Sequence, residues 1–565
     1  MRLIRLVFSH NPGALTFALS LSILSALLSI GVVAFINERL VSASDGSAGL
    51  LWQFAGLLVV LLVIASYAQV ALTALGHRFV YGLRRSLVKR VLDTGIERLE
   101  EIGGANILAS LSSDIRNITL AFVNLPQLVY GLGLSVAAFT YLAFLSLPLF
   151  AMTLLWMAVT VAVGWGLVNA LSRHLQQLRE SEDRIYQDYE AAIEGRKELA
   201  LNRDRARRYY EDEFDRSAET YRQHVTLADR YHSIASNWAN IMVLGTIGLV
   251  FYLVNGLGWA AMPVASTYAL TILFMRTPLV SAVASLPAML SARVSLDKLD
   301  SLALAEYRPG FEDAARDPTG EWQELEMSGV QYRYPVQHGE PGFDVGPIDL
   351  TIRRGEIIFL VGGNGSGKST LARLLSGLYL PHHGNLKMDG RALQPDDWSS
   401  YRRLFGSVFT DFFLFDQLIA EHGQDADPAN VHYWLGRLRM EDKVRVAGSR
   451  LQDTRLSQGQ RKRLALLLAL LEKRDILLLD EWAADQDPVF RRLFYRDLLP
   501  QMKARGKTIF AITHDDRYFH QADRLLKMES GQLTELSVEQ RQQSRHDAMQ
   551  MIGETPVSET FSDQA

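Results

Sequence analysis

Six apolar runs set the terms on which this chain can fold. They lie near residues 14–36, 50–75, 122–146, 147–170, 236–258 and 263–290, each near the roughly 20 residues an α-helix needs to cross a bilayer. Soluble helices carry an apolar stripe and a polar face, and seldom stay apolar all round for so long. A cleaved signal peptide does not account for the first run, although Arg2 and Arg5 precede it. Its apolar stretch is too long, no clear small-residue cleavage site follows, and further runs come after it. Residues 1–300 are therefore expected to form a six-span transmembrane domain with the lipid bilayer as its solvent.

The connections between the runs give an orientation. Residues 77–121 carry Arg78, Arg84, Arg85, Lys89, Arg90, Arg98 and Arg116, and residues 171–235 are richer still, with Arg196-Lys197 and Arg207-Arg208. The opposite connections are short, and Arg39 is their sole basic residue. The positive-inside rule then places the N-terminus and both long loops in the cytoplasm. Around Val80–Leu92 and Leu175–Tyr189 charge is mixed with spaced Leu, Val, Ile and Tyr, the pattern of a helix. The spans are expected to run on as a cytoplasmic stalk, turning near Glu100–Leu108 and near Arg196–Asn202.

The second half reads differently. Residues 301–320 are polar, with Pro309, Gly310, Pro318 and Gly320, and mark a linker. Residues 321–535 have the alternating pattern of a soluble α/β domain, and 536–565 lose apolar periodicity and are expected to be disordered. The chain has no cysteine, which excludes disulfides, thiolate metal sites and cysteine catalysis. A net charge of -4 gives no sign of a nucleic-acid partner.

Within that domain Gly362-Gly363-Asn364-Gly365-Ser366-Gly367-Lys368-Ser369-Thr370 follows the strand-like Ile357–Val361 and precedes the helix-like Leu371–Leu375. Strand, glycine loop and helix in this order make a P-loop. The glycines let backbone N–H groups turn around a phosphate, and the helix N-terminus adds partial positive charge. Lys368 would reach the outer phosphates of ATP, and Ser369 would hold Mg²⁺. Downstream, Ile476–Leu479 is a buried strand ending in Asp480-Glu481. Asp480 suits a carboxylate that holds Mg²⁺ through its water shell, and Glu481 sits where a general base could polarise the attacking water.

Between these stretches lies Leu456-Ser457-Gln458-Gly459-Gln460, a turn that opens a helix and presents N–H groups and a hydroxyl to an anion. It resembles the signature sequence of ATP-binding cassette (ABC) proteins, with Gln458 where a glycine is usual. Given that resemblance, His514 in Thr508–Asp515 matches the switch histidine that senses the γ-phosphate. Tyr334 matches the aromatic that stacks on adenine, although packing beside Val330 and Tyr332 on one strand face is an alternative. Asp487 matches the D-loop aspartate, and Thr410 stands where the Q-loop glutamine is usual. The resemblance implies a half-size exporter: six spans, one α/β P-loop NTPase domain, and a homodimer. Each ATP would lie between the P-loop of one subunit and the signature turn of the other, with Ser457, Gly459 and Gln460 on the far side.

Three stretches resemble a narrower branch, the cyclic-peptide and siderophore exporters of the pyoverdine and syringomycin type: Val33–Asn37, Gly195–Leu199 and Val408–Asp411. In that branch a residue other than glutamine is expected at the Q-loop. The implied substrate is peptide-like and leaves the cytoplasm across the inner membrane. A lipid or multidrug exporter would use the same machinery, and an ATP-gated channel is disfavoured by the intact Glu481 and His514. Arg276, about 20 Å from the cytoplasmic end of its span at 1.5 Å per residue, is a candidate to line the cavity and attract an acidic group of the substrate.

Overall fold

The apolar runs fold as long helices: α1 (Pro12–Phe35), α2 (Ala48–Asp93), α4 (Ile115–Leu145), α5 (Leu147–Glu194), α7 (Asp215–Leu257) and α8 (Met262–Ser301). The short helices α3 (Ile96–Ile102) and α6 (Arg196–Leu201) fall between them. This computed structural model describes residues 12–41, 48–311, 322–334, 342–452 and 455–537. Arg2, Arg5, residues 312–320 of the linker and the tail beyond residue 537 lie outside the described residues.

Among the described residues six helices are long and apolar enough to cross a membrane. The 46 residues of α2 and the 48 of α5 far exceed that need. At about 1.5 Å per residue each is about 70 Å long, more than twice a hydrocarbon core of about 30 Å. The boundaries follow local chemistry. Pro148 and Pro263 stand in the first turns of α5 and α8, where a missing N–H costs nothing. Gly258 ends α7 in the left-handed conformation. Glycines also end the stalk helices: Gly95 and Gly103 flank α3, and Gly195 precedes α6.

The chain divides into two compact units: Met1–Arg90 with Gly104–Leu304, and Val91–Gly103 with Ala305–Ala565. Within the first unit α4 packs on α8 and α5 on α7. Small residues make the close approach: a Cβ on Gly131 of α4 would lie 2.3 Å from the Pro278 carbonyl oxygen of α8. Two indoles join the other pair, Trp156 Nε1 donating to the Met242 carbonyl and Trp238 Nε1 to that of Thr160, both at 3.1 Å. Tyr268, fully buried, donates to the carbonyls of Leu142 and Ser146. The outward faces stay apolar, with Trp52, Leu62, Val63 and Phe144 more than half exposed. A bilayer is the solvent such a surface fits.

The second unit contains β1 (Glu324–Arg333), β2 (Asp344–Arg353), β3 (Ile357–Val361), β4 (His383–Met388), β5 (Arg391–Ala392) and β6 (Phe405–Val408). The short hairpin β7 (Val446–Ala447) and β8 (Arg450–Leu451) follows, then β9 (Ile476–Asp480), β10 (Thr508–Ile512), β11 (Arg524–Glu529) and β12 (Gln532–Glu535). An antiparallel sheet runs β2-β1-β4-β5, and a larger one runs β12-β11-β3-β10-β9-β6. All but β12 are parallel in the larger sheet. Parallel strands are covered on both faces. Ile357 and Phe359 of β3 accordingly enter one buried cluster, and Ile358 and Leu360 the other. Each such side chain contributes about 1.5–3 kcal/mol.

Register then fixes the site. Ile512 of β10 pairs with Leu360 of β3 and with Asp480 of β9, and Val408 of β6 with Leu479. The C-terminal ends of four adjacent strands are level, so the loops after them open on one edge, where ligands of open α/β sheets bind.

Candidate nucleotide site

The loop after β3 leads into α9 (Lys368–Leu375). Its glycines are needed at named positions. Gly362, Gly365 and Gly367 have φ of 153°, 73° and 104°, and a Cβ on Gly362 would lie 2.2 Å from the Met528 carbonyl oxygen. Lys368 folds back over the loop, its Nζ donating to the carbonyls of Gly362 and Gly363 at 2.9 Å. An anion held by the loop N–H groups would compete for this ammonium. Ser366 Oγ is buried without a hydrogen-bond partner, and Asn364 is exposed. Thr370 Oγ1 lies 3.0 Å from the Tyr334 hydroxyl. Tyr334 is half-buried, edge-on to Tyr332 and Tyr379, so it packs and borders the loop at once.

Asp480, at the end of β9, is 2% exposed. Burial pushes its carboxyl above the usual carboxylate range, against a hydrogen bond from Ser369 that favours the ionised form. The Glu481 charge raises it further, while Arg373 and Lys368 oppose. Its Oδ1 has no hydrogen-bond partner. An orphaned buried carboxylate oxygen beside a hydroxyl is a donor set that fits Mg²⁺.

Glu481 adopts φ 47°, ψ 35°, a conformation that costs a non-glycine residue on the order of 1 kcal/mol. Its surroundings over-determine it. Its N–H donates to the Ile512 carbonyl at 3.1 Å, and its own carbonyl accepts from Lys462 Nζ at 2.9 Å. The side chain is thereby turned toward His514, with Nε2 3.1 Å from Oε1. P-loop, Asp480, Glu481 and His514 thus share one sheet edge.

The signature turn belongs to a second cluster. Ser457 caps α10 (Gln458–Leu471) in a reciprocal box: the Gln460 N–H donates to the Ser457 hydroxyl and the Ser457 N–H to the Gln460 side-chain oxygen. Gly459 is a contact point: a Cβ there would lie 2.5 Å from the Asp485 carbonyl oxygen, and Gln486 Nε2 donates to its carbonyl at 3.0 Å. Gln458 is exposed, so this position accepts a side chain. Asp487 caps the helix Pro488–Leu493 by accepting from Phe490 N–H at 2.9 Å, and pairs with Arg463 at 2.7 Å. The Phe490 N–H holds its carboxyl below the usual range, and Arg463 adds to this.

The sequence did not point to Lys462. It stands in Arg461-Lys462-Arg463, which reads as a solvated helix start, yet it is 3% exposed and pairs with Asp485 at 2.7 Å. Tyr379 and Arg373 were equally silent. Arg276 lies in the first unit, exposed, donating to Asn240 of α7.

Residues 345–484 match the protein-family description "ABC transporter". "ATP-binding protein SyrD" of Pseudomonas syringae pv. syringae is 33% identical over 539 residues, 94% of this chain and 95% of that protein. The chain belongs to the ABC transporter family. Two other ABC-type relatives match less of it. "Energy-coupling factor transporter ATP-binding protein EcfA1" of Enterococcus faecalis is 31% identical over 37% of this chain and 77% of its own length. "Leukotoxin translocation ATP-binding protein LktB" of Mannheimia haemolytica is 30% identical over 40% of this chain and 34% of its own. This ABC transporter is a half-size exporter similar to SyrD, with six long apolar helices and one nucleotide-binding domain. Its ABC domain binds ATP and couples hydrolysis to transport, and a half transporter of this kind works as a dimer in the membrane.

Proposed function

We propose that the chain forms a homodimer in the bacterial inner membrane, with its N-terminus and nucleotide-binding domain cytoplasmic. It exports a peptide-like secondary metabolite, a cyclic peptide or siderophore precursor. The reach of the SyrD likeness carries this reading: it takes in 94% of the chain, including the helices that would touch the substrate. EcfA1 and LktB match 37% and 40%, which the nucleotide-binding half alone could fill. The stretches that resemble the syringomycin- and pyoverdine-type exporters add to it.

In this reading Tyr334 stacks on adenine, and the N–H groups of residues 362–370 with Lys368 hold the phosphates. Ser369 and Asp480 hold Mg²⁺, which when bound neutralises phosphate charge. Glu481 polarises the attacking water, and His514, beside it, senses the γ-phosphate. Ser457, Gly459 and Gln460 of the partner subunit close the site, and Asp487 keeps the D-loop in place against the signature helix. Arg276 lines the transport path with Asn240 and favours an acidic group on the substrate.

The test is the metabolite itself. In a strain lacking this protein, mass spectrometry of supernatant and cell extract should show one peptide-like metabolite lost from the medium and retained in cells. Restored export with the native chain, and none with Lys368→Ala, would support the proposal. A change confined to membrane lipids would replace it with a lipid exporter.

A further inference from the structure

One side chain beside the site has no part in the steps above. Arg373 lies on α9, and its side chain is 23% exposed. Nη1 donates to the Tyr379 hydroxyl at 2.8 Å and lies 3.7 Å from Glu100 Oε1. Nη2 lies 3.6 Å from Asp411 Oδ2. The guanidinium sits 5.3 Å from the centre of the Tyr379 ring, and the Tyr379 hydroxyl donates to the second oxygen of Glu100.

Arg373 and its two charged partners come from three places. Glu100 is on α3, the short helix that joins α2 to α4 along the chain and packs as part of the second unit. Asp411 follows Thr410, at the position where a glutamine is usual. Arg373 itself continues the helix that begins at Lys368. Thr410 is exposed, and among the described residues its hydroxyl bridges nothing.

We propose that Arg373 is the positioning residue that ties α3 to the nucleotide site, in place of a long Q-loop side chain. The chemistry suits arginine. A planar fork with five donors can face two carboxylates and a phenol at once, where a lysine offers one point charge. Arg373 lies on the same short helix as Lys368, which holds the phosphate loop. Charge arriving at the phosphate loop therefore changes the balance among its acceptors, and Glu100 passes that change to α3. The inference rests on ATP binding at the P-loop, and its test keeps the two apart.

The chain has no cysteine, so one introduced residue can be labelled cleanly. Glu101→Cys suits: the side chain is 52% exposed and pairs with Arg98 on α3. The full-length protein, reconstituted in liposomes and carrying bimane there, should change its emission when AMPPNP and Mg²⁺ are added. Arg373→Gln and Glu100→Gln should each reduce that response at least about fivefold, with binding of a fluorescent ATP analogue altered less than about twofold. The double variant should be no worse than either single one, and Arg373→Lys should restore only part of the response. A response that survives Arg373→Gln with binding intact overturns the proposal, as does additive loss in the double variant. If Arg373→Gln does not fold, Glu100→Gln decides the matter from the α3 side by the same two outcomes. Failure of the unsubstituted chain to bind the analogue would instead count against the nucleotide reading.

Discussion

Glu481 shows what single residues do here. A glutamate in the left-handed region is held by the Ile512 carbonyl on one side and the Lys462 ammonium on the other. The strand and the acidic pair were legible, because four aliphatic residues followed by two carboxylates read as a buried strand reaching a site. The conformation was not legible. It depends on Lys462, which contacts the Glu481 carbonyl from a helix that starts 23 residues earlier. No local pattern marks that lysine as buried. Lys462→Met should lower kcat for ATP on the order of tenfold, because the carboxylate loses its fixed placement. KM should change little, since the partners of Lys462, Glu481 and Asp485, lie outside the P-loop. Steady-state ATPase kinetics at varied ATP would check this, and equal loss in KM and kcat would speak for general damage.

At the scale of elements, helix and strand periods carried most of the fold. The runs near 14–36 and 263–290 appear as α1 and α8, and the strand-like Ile357–Val361 is β3 with the same bounds. The continuation of α2 and α5 beyond the length of a span was legible as charge mixed with spaced apolar residues. What the periodicity could not give was the lodging of α3, because that rests on aromatic side chains some 230 residues away or more. Tyr332 stacks between Tyr379 and His382, with ring centres 5.0 and 4.8 Å apart, and its hydroxyl meets Glu97. Burial holds the Glu97 carboxyl above its usual range, with the Tyr332 hydroxyl opposing. A raised folded-state pKa favours the fold below the ordinary carboxylate range, and that contribution is lost as pH rises through the raised value. Glu97→Gln cannot ionise. Its melting temperature in detergent should exceed that of the native chain at pH 7, and the gap should narrow as pH falls toward 4. A constant gap would mean that Glu97 titrates normally.

For the whole molecule, the two clusters of the nucleotide-binding domain make a prediction about pairs of chains. Within one chain the signature turn rests on Asp485 and Gln486 rather than on the P-loop, which suits a site completed by a second copy. Lys368→Ala and Ser457→Arg should each abolish ATPase activity alone. Co-expressed, random pairing makes half the dimers mixed, each with one site carrying both defects and one carrying neither. Activity should then return to about a quarter of the native level if one intact site turns over alone. Affinity-tagging both chains allows the mixed dimers to be purified and assayed. No recovery in purified mixed dimers would argue against sites shared in this way.

The placement of residues 91–103 in the second unit also bears on how the protein is made. This stretch leaves the ribosome early, while Tyr332, Arg373 and Tyr379, against which it rests, do not yet exist. At about 5–20 residues per second, synthesis from Gly103 to Tyr379 takes on the order of 15–55 s. Throughout that interval the loop between the second and third spans is exposed to proteases and chaperones. A truncation or destabilising change in the C-terminal half would therefore surface as premature degradation of the N-terminal half. Clipping near Gly103 during biogenesis is its expected mark.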